Sequence, residues 1–175
     1  MGSIKKNILI TGLPGVGKTT IIRQIHDALE FLHPVGFYTA EIREGGDRKG
    51  FELIDFADRR QILSHIKVKS PFRVGKYGVD VPGFESFLGE IDFFGPETDL
   101  IIVDEIGKME CLSAEFRHLI VRILDSSKPV ITVIALKGGG IIEEIKRRDD
   151  VSLFEVTVRN RNRLTSDITA TFLGH

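Results

Sequence analysis

Gly12-Leu13-Pro14-Gly15-Val16-Gly17-Lys18-Thr19 has the spacing Gly-x4-Gly-Lys-[Ser/Thr] of a phosphate-binding loop. Each residue type has a chemical task. Gly12, Gly15 and Gly17 let the backbone turn so that successive N–H groups converge on an anion. The helix that follows begins with unpaired N–H donors and the positive end of its dipole, and both favour phosphate. Lys18 can reach β- and γ-phosphate oxygens, the Thr19 hydroxyl can ligate Mg²⁺, and Thr20 completes the expected nucleotide-binding set. These residues describe a nucleotide site.

The second constellation is Leu100-Ile-Ile-Val-Asp104-Glu105-Ile-Gly-Lys108-Met-Glu110. An apolar strand ending in a carboxylate is the Walker B pattern, and Asp104 is expected to hold Mg²⁺ opposite Thr19. Adjacent strand residues diverge, so Glu105 is expected to face a water in line with the γ-phosphate. A carboxylate in that place separates a hydrolase from a kinase, whose acceptor is itself the nucleophile.

Elements of suitable length surround both motifs. Residues 8–11 read as a buried strand and 18–31 as a helix with Ile21, Ile22, Ile25, Ala28 and Leu29 on one face. Residues 35–42 read as a strand, 43–50 as a glycine-containing turn, and 51–56 and 61–66 as returning strands. Helices are expected at 83–94, 113–125 (with Ser113 as N-cap), 140–148 and 163–173, and strands at 100–103, 129–136 and 153–158. Four short apolar strands alternating with helices imply an α/β fold. Its mainly parallel sheet is flanked by helices, with an antiparallel hairpin insertion around 35–66. Ligands then sit at the carboxyl ends of the strands. Residues 1–175 read as a single domain.

Composition narrows the function classes. The 175 residues carry a net charge of −1, so no global basic field points to nucleic acid. The short basic run Lys146-Arg147-Arg148 reads as a helix end complementing its dipole. With one cysteine, Cys111, and five histidines lacking ligand spacing, no zinc site is expected, and the location expected is cytoplasmic. No apolar run approaches the roughly 20 residues that cross a bilayer. At the N-terminus the chain reaches its first strand too soon for a secretory signal, and Lys6 stands where a myristoylation signal at Gly2 needs Ser or Thr.

From end to end the chain resembles the small P-loop nucleoside-triphosphatases of thermophiles and their animal counterpart, the cancer-related nucleoside-triphosphatase. The resemblance is carried by the phosphate loop, by Gly36-Phe-Tyr-Thr-Ala-Glu-Ile-Arg43, and by Arg48-x-Gly50-Phe51. It continues through Val74-Gly75-x-Tyr77-x-Val79 and Asp104-Glu-Ile-Gly-Lys-Met-Glu110 to Asn160-Arg161. It implies slow, Mg²⁺-dependent hydrolysis of several nucleoside triphosphates (ATP, GTP, CTP and UTP) in a P-loop fold, by a monomer. Three departures stand out: Ala40 and Arg159 replace glutamates of the family strings, and Ala135-Leu136-Lys137 stands where relatives tend to show Thr-Ile-Pro. No polar γ-phosphate sensor is expected at that strand end. Lys108 and Glu110 either shape the site or are turn charges. Arg43 and Arg161 either supply charge to the transferred phosphoryl group or make surface ion pairs. No guanine-reading motif is present, so base specificity is expected to be broad. The alternative is a nucleotide or small-molecule kinase with the same cradle, which would need an acceptor pocket. A nucleotide-dependent switch would need a partner-binding insertion, for which 35–66 is the candidate.

Overall fold

The computed structural model describes residues 4–173; Met1 to Ser3, Gly174 and His175, and with them the reading of Gly2, lie outside the described residues. Strand β1 (Asn7–Gly12) is buried along its whole length and leads through the glycine loop into α1 (Lys18–Ala28). Ile21, Ile22, Ile25 and Leu29 of that segment are buried, whereas Ala28 is exposed and leaves the expected face. The α-helix ends earlier than residue 31 because the chain tightens into a 3₁₀ turn at Glu30–Leu32, and His33 then takes a left-handed conformation.

The antiparallel segment expected around 35–66 is present and longer. Strands β2 (Pro34–Glu44) and β3 (Asp47–Asp55) form one hairpin around Gly45 and Gly46. The stretch 43–50 is therefore mostly strand and not a broad turn; two glycines with positive φ suffice to reverse it. β4 (Arg60–His65), β5 (Arg73–Val74) and β6 (Tyr77–Val79) complete the antiparallel side. After these come α2 (Val81–Gly89), β7 (Leu100–Ile106), α3 (Ala114–Asp125), β8 (Val130–Ile134), α4 (Ile141–Lys146), β9 (Val151–Val156) and α5 (Arg161–Leu173). α2 stops five residues short of 94, where Gly89 ends the helical run.

The nine strands form one sheet in the order β5-β6-β4-β3-β2-β7-β8-β1-β9. β2, β7, β8, β1 and β9 are parallel neighbours, so β2 belongs to the parallel core as well as to the hairpin. Helices cover both faces. Ile8 and Ile10 pack with α1 and with Leu164 and Ile168 of α5; Leu9, Ile101 and Val103 pack with Phe84, Phe116, Ile120 and Ile142 on the other face. This is the mixed α/β sheet of a P-loop NTPase fold. Among the described residues no helix is long and apolar enough to cross a membrane.

One consequence of this order positions the chemistry. β8 lies between β1, which carries the glycine loop, and β7, which carries the acidic pair. Two strand spacings open a gap of about 9–10 Å at the carboxyl edge. Phosphate oxygens, a metal ion and a water fit within that width.

Candidate active site

The loop after β1 ends at Gly17, whose φ of 110° and ψ of 23° place it as the N-cap of α1 with no side-chain cap. A side chain is disfavoured in that backbone conformation, and the first N–H groups of α1 stay free for an anion. The first turn of α1 contains no acidic residue that would compete for them. Lys18 Nζ donates to Gly12 O at 2.8 Å and to Leu13 O at 2.9 Å. The ammonium is thereby held in the mouth of the loop. Pro14, Gly15, Gly17, Lys18, Thr19 and Thr20 face a cavity of about 720 Å³, while Gly12, Leu13 and Val16 shape the loop from behind.

Thr19 Oγ1 donates to Asp104 Oδ2 at 2.6 Å. That contact joins the start of α1 to the end of β7 across 85 residues of sequence. Asp104 is 2% exposed, and burial, reinforced by the charge of Glu105, pushes its carboxyl up to about 7. Its donors are the Thr19 hydroxyl and a backbone group, with no ion-paired cation on it among the described residues. A buried carboxylate beside a hydroxyl, open to a cavity on the phosphate side, is a hard oxygen donor set. Mg²⁺ typically takes one or two protein groups of this kind and completes its octahedron with phosphate and water. The residues fit Mg²⁺.

Glu105 is half-buried and lines the same cavity as Asp104 and Lys18. Burial raises its pKa, and the charge of Lys18 opposes the rise. The pairing of β7 with β8 shifts register between Asp104 and Ile106, so regular ladder geometry ends at the acidic pair. Glu110, only 3% exposed, is pushed well up by burial and then by the charge of Glu105. The two glutamates converge over Gly107: a Cβ built there would lie 2.6 Å from Glu105 Oε1 and 2.9 Å from Glu110 Oε2. Glu110 is thus a wall of the site and not an exposed turn charge. Lys108 is exposed and also lines the cavity.

Other candidates lie elsewhere. Arg43 is exposed and committed to Glu41 at 2.6–2.7 Å and to Gly46 O at 2.8 Å, outside the cavity lining. Asn160 caps the turn before α5, accepting from Thr157 N at 2.8 Å and donating to Glu155 O at 2.8 Å. Arg161 approaches the back of the loop, with Nη1 3.5 Å from Val16 O, and does not face the cavity.

Several participants carry no motif of their own. Thr39 Oγ1 donates to Asp104 O at 2.5 Å and fixes the backbone that bears the acidic pair. Arg23 stacks 5.2 Å from the Tyr38 ring centre at the cavity rim. Arg48 and Phe51 of β3 form part of the far wall. Thr39 and Gly107 sit inside the strings quoted above, but only the register of β2 against β7 and the fold of the loop after β7 give them a task.

Comparison with known proteins shows the family to which this fold and site belong. The NTPase family model matches residues 7–169. The nucleoside-triphosphatase THEP1 of Thermotoga maritima is 46% identical over 162 residues, covering 92% of each chain. The human cancer-related nucleoside-triphosphatase is 38% identical over 179 aligned positions, covering 93% of this chain and 94% of that protein. The crystal structure of THEP1 from Aquifex aeolicus superposes with a TM-score of 0.81 at 34% identity, over 93% of this chain and 96% of the other.

Proposed function

The chain belongs to the NTPase family and is a nucleoside-triphosphatase; on that premise we propose that it cleaves the β–γ anhydride of ATP, GTP, CTP and UTP alike, slowly and with Mg²⁺. The observation that carries the reading is the convergence of Lys18, Thr19, Asp104 and Glu105 on one cavity.

In this mechanism the free N–H groups at the start of α1 and the glycine loop bind the phosphate chain. Lys18 exchanges its two carbonyl acceptors for β- and γ-phosphate oxygens and offsets the charge that develops there. Thr19 and Asp104 would hold Mg²⁺, which would supply neutralisation of phosphate charge. Glu105 accepts a hydrogen bond from the attacking water and takes its proton as the oxygen–phosphorus bond forms. Thr39 and Gly107 keep that carboxylate in place. Products are the nucleoside diphosphate and phosphate. The absence of a base-reading motif supports broad specificity, and we assign the work to a monomeric, single-domain cytoplasmic protein that needs neither membrane nor nucleic acid.

The test is phosphate release from each of the four nucleotides with Mg²⁺ and no added acceptor, on the parent and on Lys18→Ala. Steady turnover is expected from the parent. The variant should lose about 3–4 kcal/mol of transition-state stabilisation, the cost of one preorganised donor. Parental turnover in Lys18→Ala would remove the lysine from the mechanism.

A further inference from the structure

The cavity extends beyond the residues assigned to hydrolysis. Water and a triphosphate tail occupy the end formed by the glycine loop, Asp104 and Glu105. The same cavity continues past Glu105 against the antiparallel half of the sheet, where Arg48, Phe51, Leu63, Val74, Met109 and Lys137 line it. The whole cavity, phosphate end included, measures about 720 Å³. None of the six is among the residues assigned to NTP cleavage above.

Its lining has a definite chemistry. Phe51, Leu63, Val74 and Met109 supply apolar surface. Phe51 meets Tyr77 edge to face, with ring centres 5.6 Å apart, so the aromatic wall is fixed. Arg48 is held by Tyr77 Oη at 3.1 Å and by Glu41 at 3.1 Å, with its guanidinium 5.1 Å from the Phe51 ring centre. Those bonds use Nε and Nη1 and leave further N–H donors. Lys137 makes no hydrogen bond or ion pair among the described residues. Glu41 and Glu110 also line the cavity, and Glu41 is paired with Arg48, so the spare Arg48 donors and Lys137 are the groups left to meet an anion with a hydrophobic body beside the Glu105 carboxylate.

We propose that the chamber walled by Arg48, Phe51, Val74 and Lys137 binds a small hydroxylated organic acid with an apolar body, and that this molecule competes with water for the γ-phosphoryl group. The hydroxyl oxygen forms the new bond to Pγ. The bond between Pγ and the β–γ bridging oxygen breaks, and its electron pair leaves with the nucleoside diphosphate. The hydroxyl proton passes to Glu105. The product is a phosphate monoester, so hydrolysis and transfer are two outcomes of one site. The inference rests on the nucleotide site proposed above.

The test uses 3-phenyllactate, which carries the carboxylate, the hydroxyl and an apolar ring. With Mg²⁺-ATP, ³¹P NMR should show O-phospho-phenyllactate appearing at the expense of free phosphate. Lactate has the same carboxylate and hydroxyl but no ring, and it should be phosphorylated at least about tenfold less efficiently. Val74→Phe fills the chamber away from the phosphate loop; it should abolish ester formation while phosphate release without acceptor continues at the parental rate. If Val74→Phe fails to fold, Val74→Met narrows the chamber with a more flexible side chain and makes the same comparison. Phenyllactate that yields only free phosphate from an active parent overturns the proposal and leaves the hydrolase reading intact. Inhibition of hydrolysis without ester removes the transfer step, and ester formed equally well by the variants places the acceptor elsewhere. A parent that produces neither ester nor phosphate instead refutes the nucleotide site on which both readings stand.

Discussion

At the scale of residues, the proposed mechanism rests the distinction between binding a nucleotide and hydrolysing it on Glu105 and Gly107. Glu105→Gln keeps size and hydrogen bonding but cannot accept the water's proton. Turnover should fall by about 10²–10⁴-fold, the usual contribution of a positioned base. Nucleotide binding should be retained or tightened, since a negative charge facing the γ-phosphate is gone. Single-turnover hydrolysis and equilibrium binding on one preparation check both halves. Unchanged hydrolysis would move the base role to Glu110 or Glu41, and lost binding would make Glu105 structural. Gly107→Ala tests positioning: its methyl would lie 2.6 Å from Glu105 Oε1. A displacement of about 1 Å in such a group costs on the order of a hundredfold, so turnover should drop by about ten- to a hundredfold with binding unchanged. Parental turnover would mean that the two carboxylates yield to the methyl without consequence.

At the scale of elements, the junction after the acidic string is held by one hydroxyl. Ser113 is fully buried; its Oγ accepts from Phe116 N at 2.9 Å and donates to Glu85 Oε1 at 2.6 Å. It caps α3 and ties it to α2, a few residues beyond Glu110. Ser113→Ala removes the cap and leaves the Glu85 carboxylate without that donor. A loss of about 1–2 kcal/mol in urea denaturation is expected. A midpoint equal to the parent's would show that water replaces the hydroxyl at both partners. The same cap was legible in the sequence, because a serine before an amphipathic run is a local signal. The link to α2 was not, since nothing local joins residue 85 to residue 113.

At the scale of the whole molecule, an ion cluster fastens the β9 edge to the rest. Arg148 donates to Asp125 at the end of α3 and to Asp150 before β9, at 2.7–2.8 Å, and Asn7 of β1 also donates to Asp150. The Arg148 hydrogen bond holds the Asp150 carboxyl below its ordinary pKa. A depressed folded-state pKa contributes stability above the unfolded value, about 3.9, and loses it as pH falls through the folded value. The stability gap between the parent and Arg148→Met should therefore be widest near neutrality and close below about pH 4. Urea titrations across pH 3–7 measure it, and a gap independent of pH would assign the arginine's role to packing alone. The groups are partly exposed, so the gap should also shrink in salt.

The sequence by itself determined what is encoded in short stretches. The glycine loop, its lysine and threonine, the apolar strand ending in Asp104 and Glu105, and the alternation of strands and helices all follow from neighbouring residues and their spacing. The family strings, read as a resemblance, pointed to a nucleoside-triphosphatase. The tertiary structure alone decided which distant segments meet. It made β2 both a hairpin strand and a member of the parallel core, a double role that Gly36-Phe-Tyr-Thr39 does not announce. That placement brings Thr39 to the backbone of Asp104. It buried Glu110, for which the sequence left a site wall and a turn charge equally open, and sent Arg43 to Glu41 and away from the phosphate side. It also opened a chamber between residues near 48, 74, 109 and 137, which share no motif. The physical reason is the same in each case. Periodicity and turn chemistry act over a few residues, whereas a strand's neighbour in the sheet is selected by burial over the whole chain.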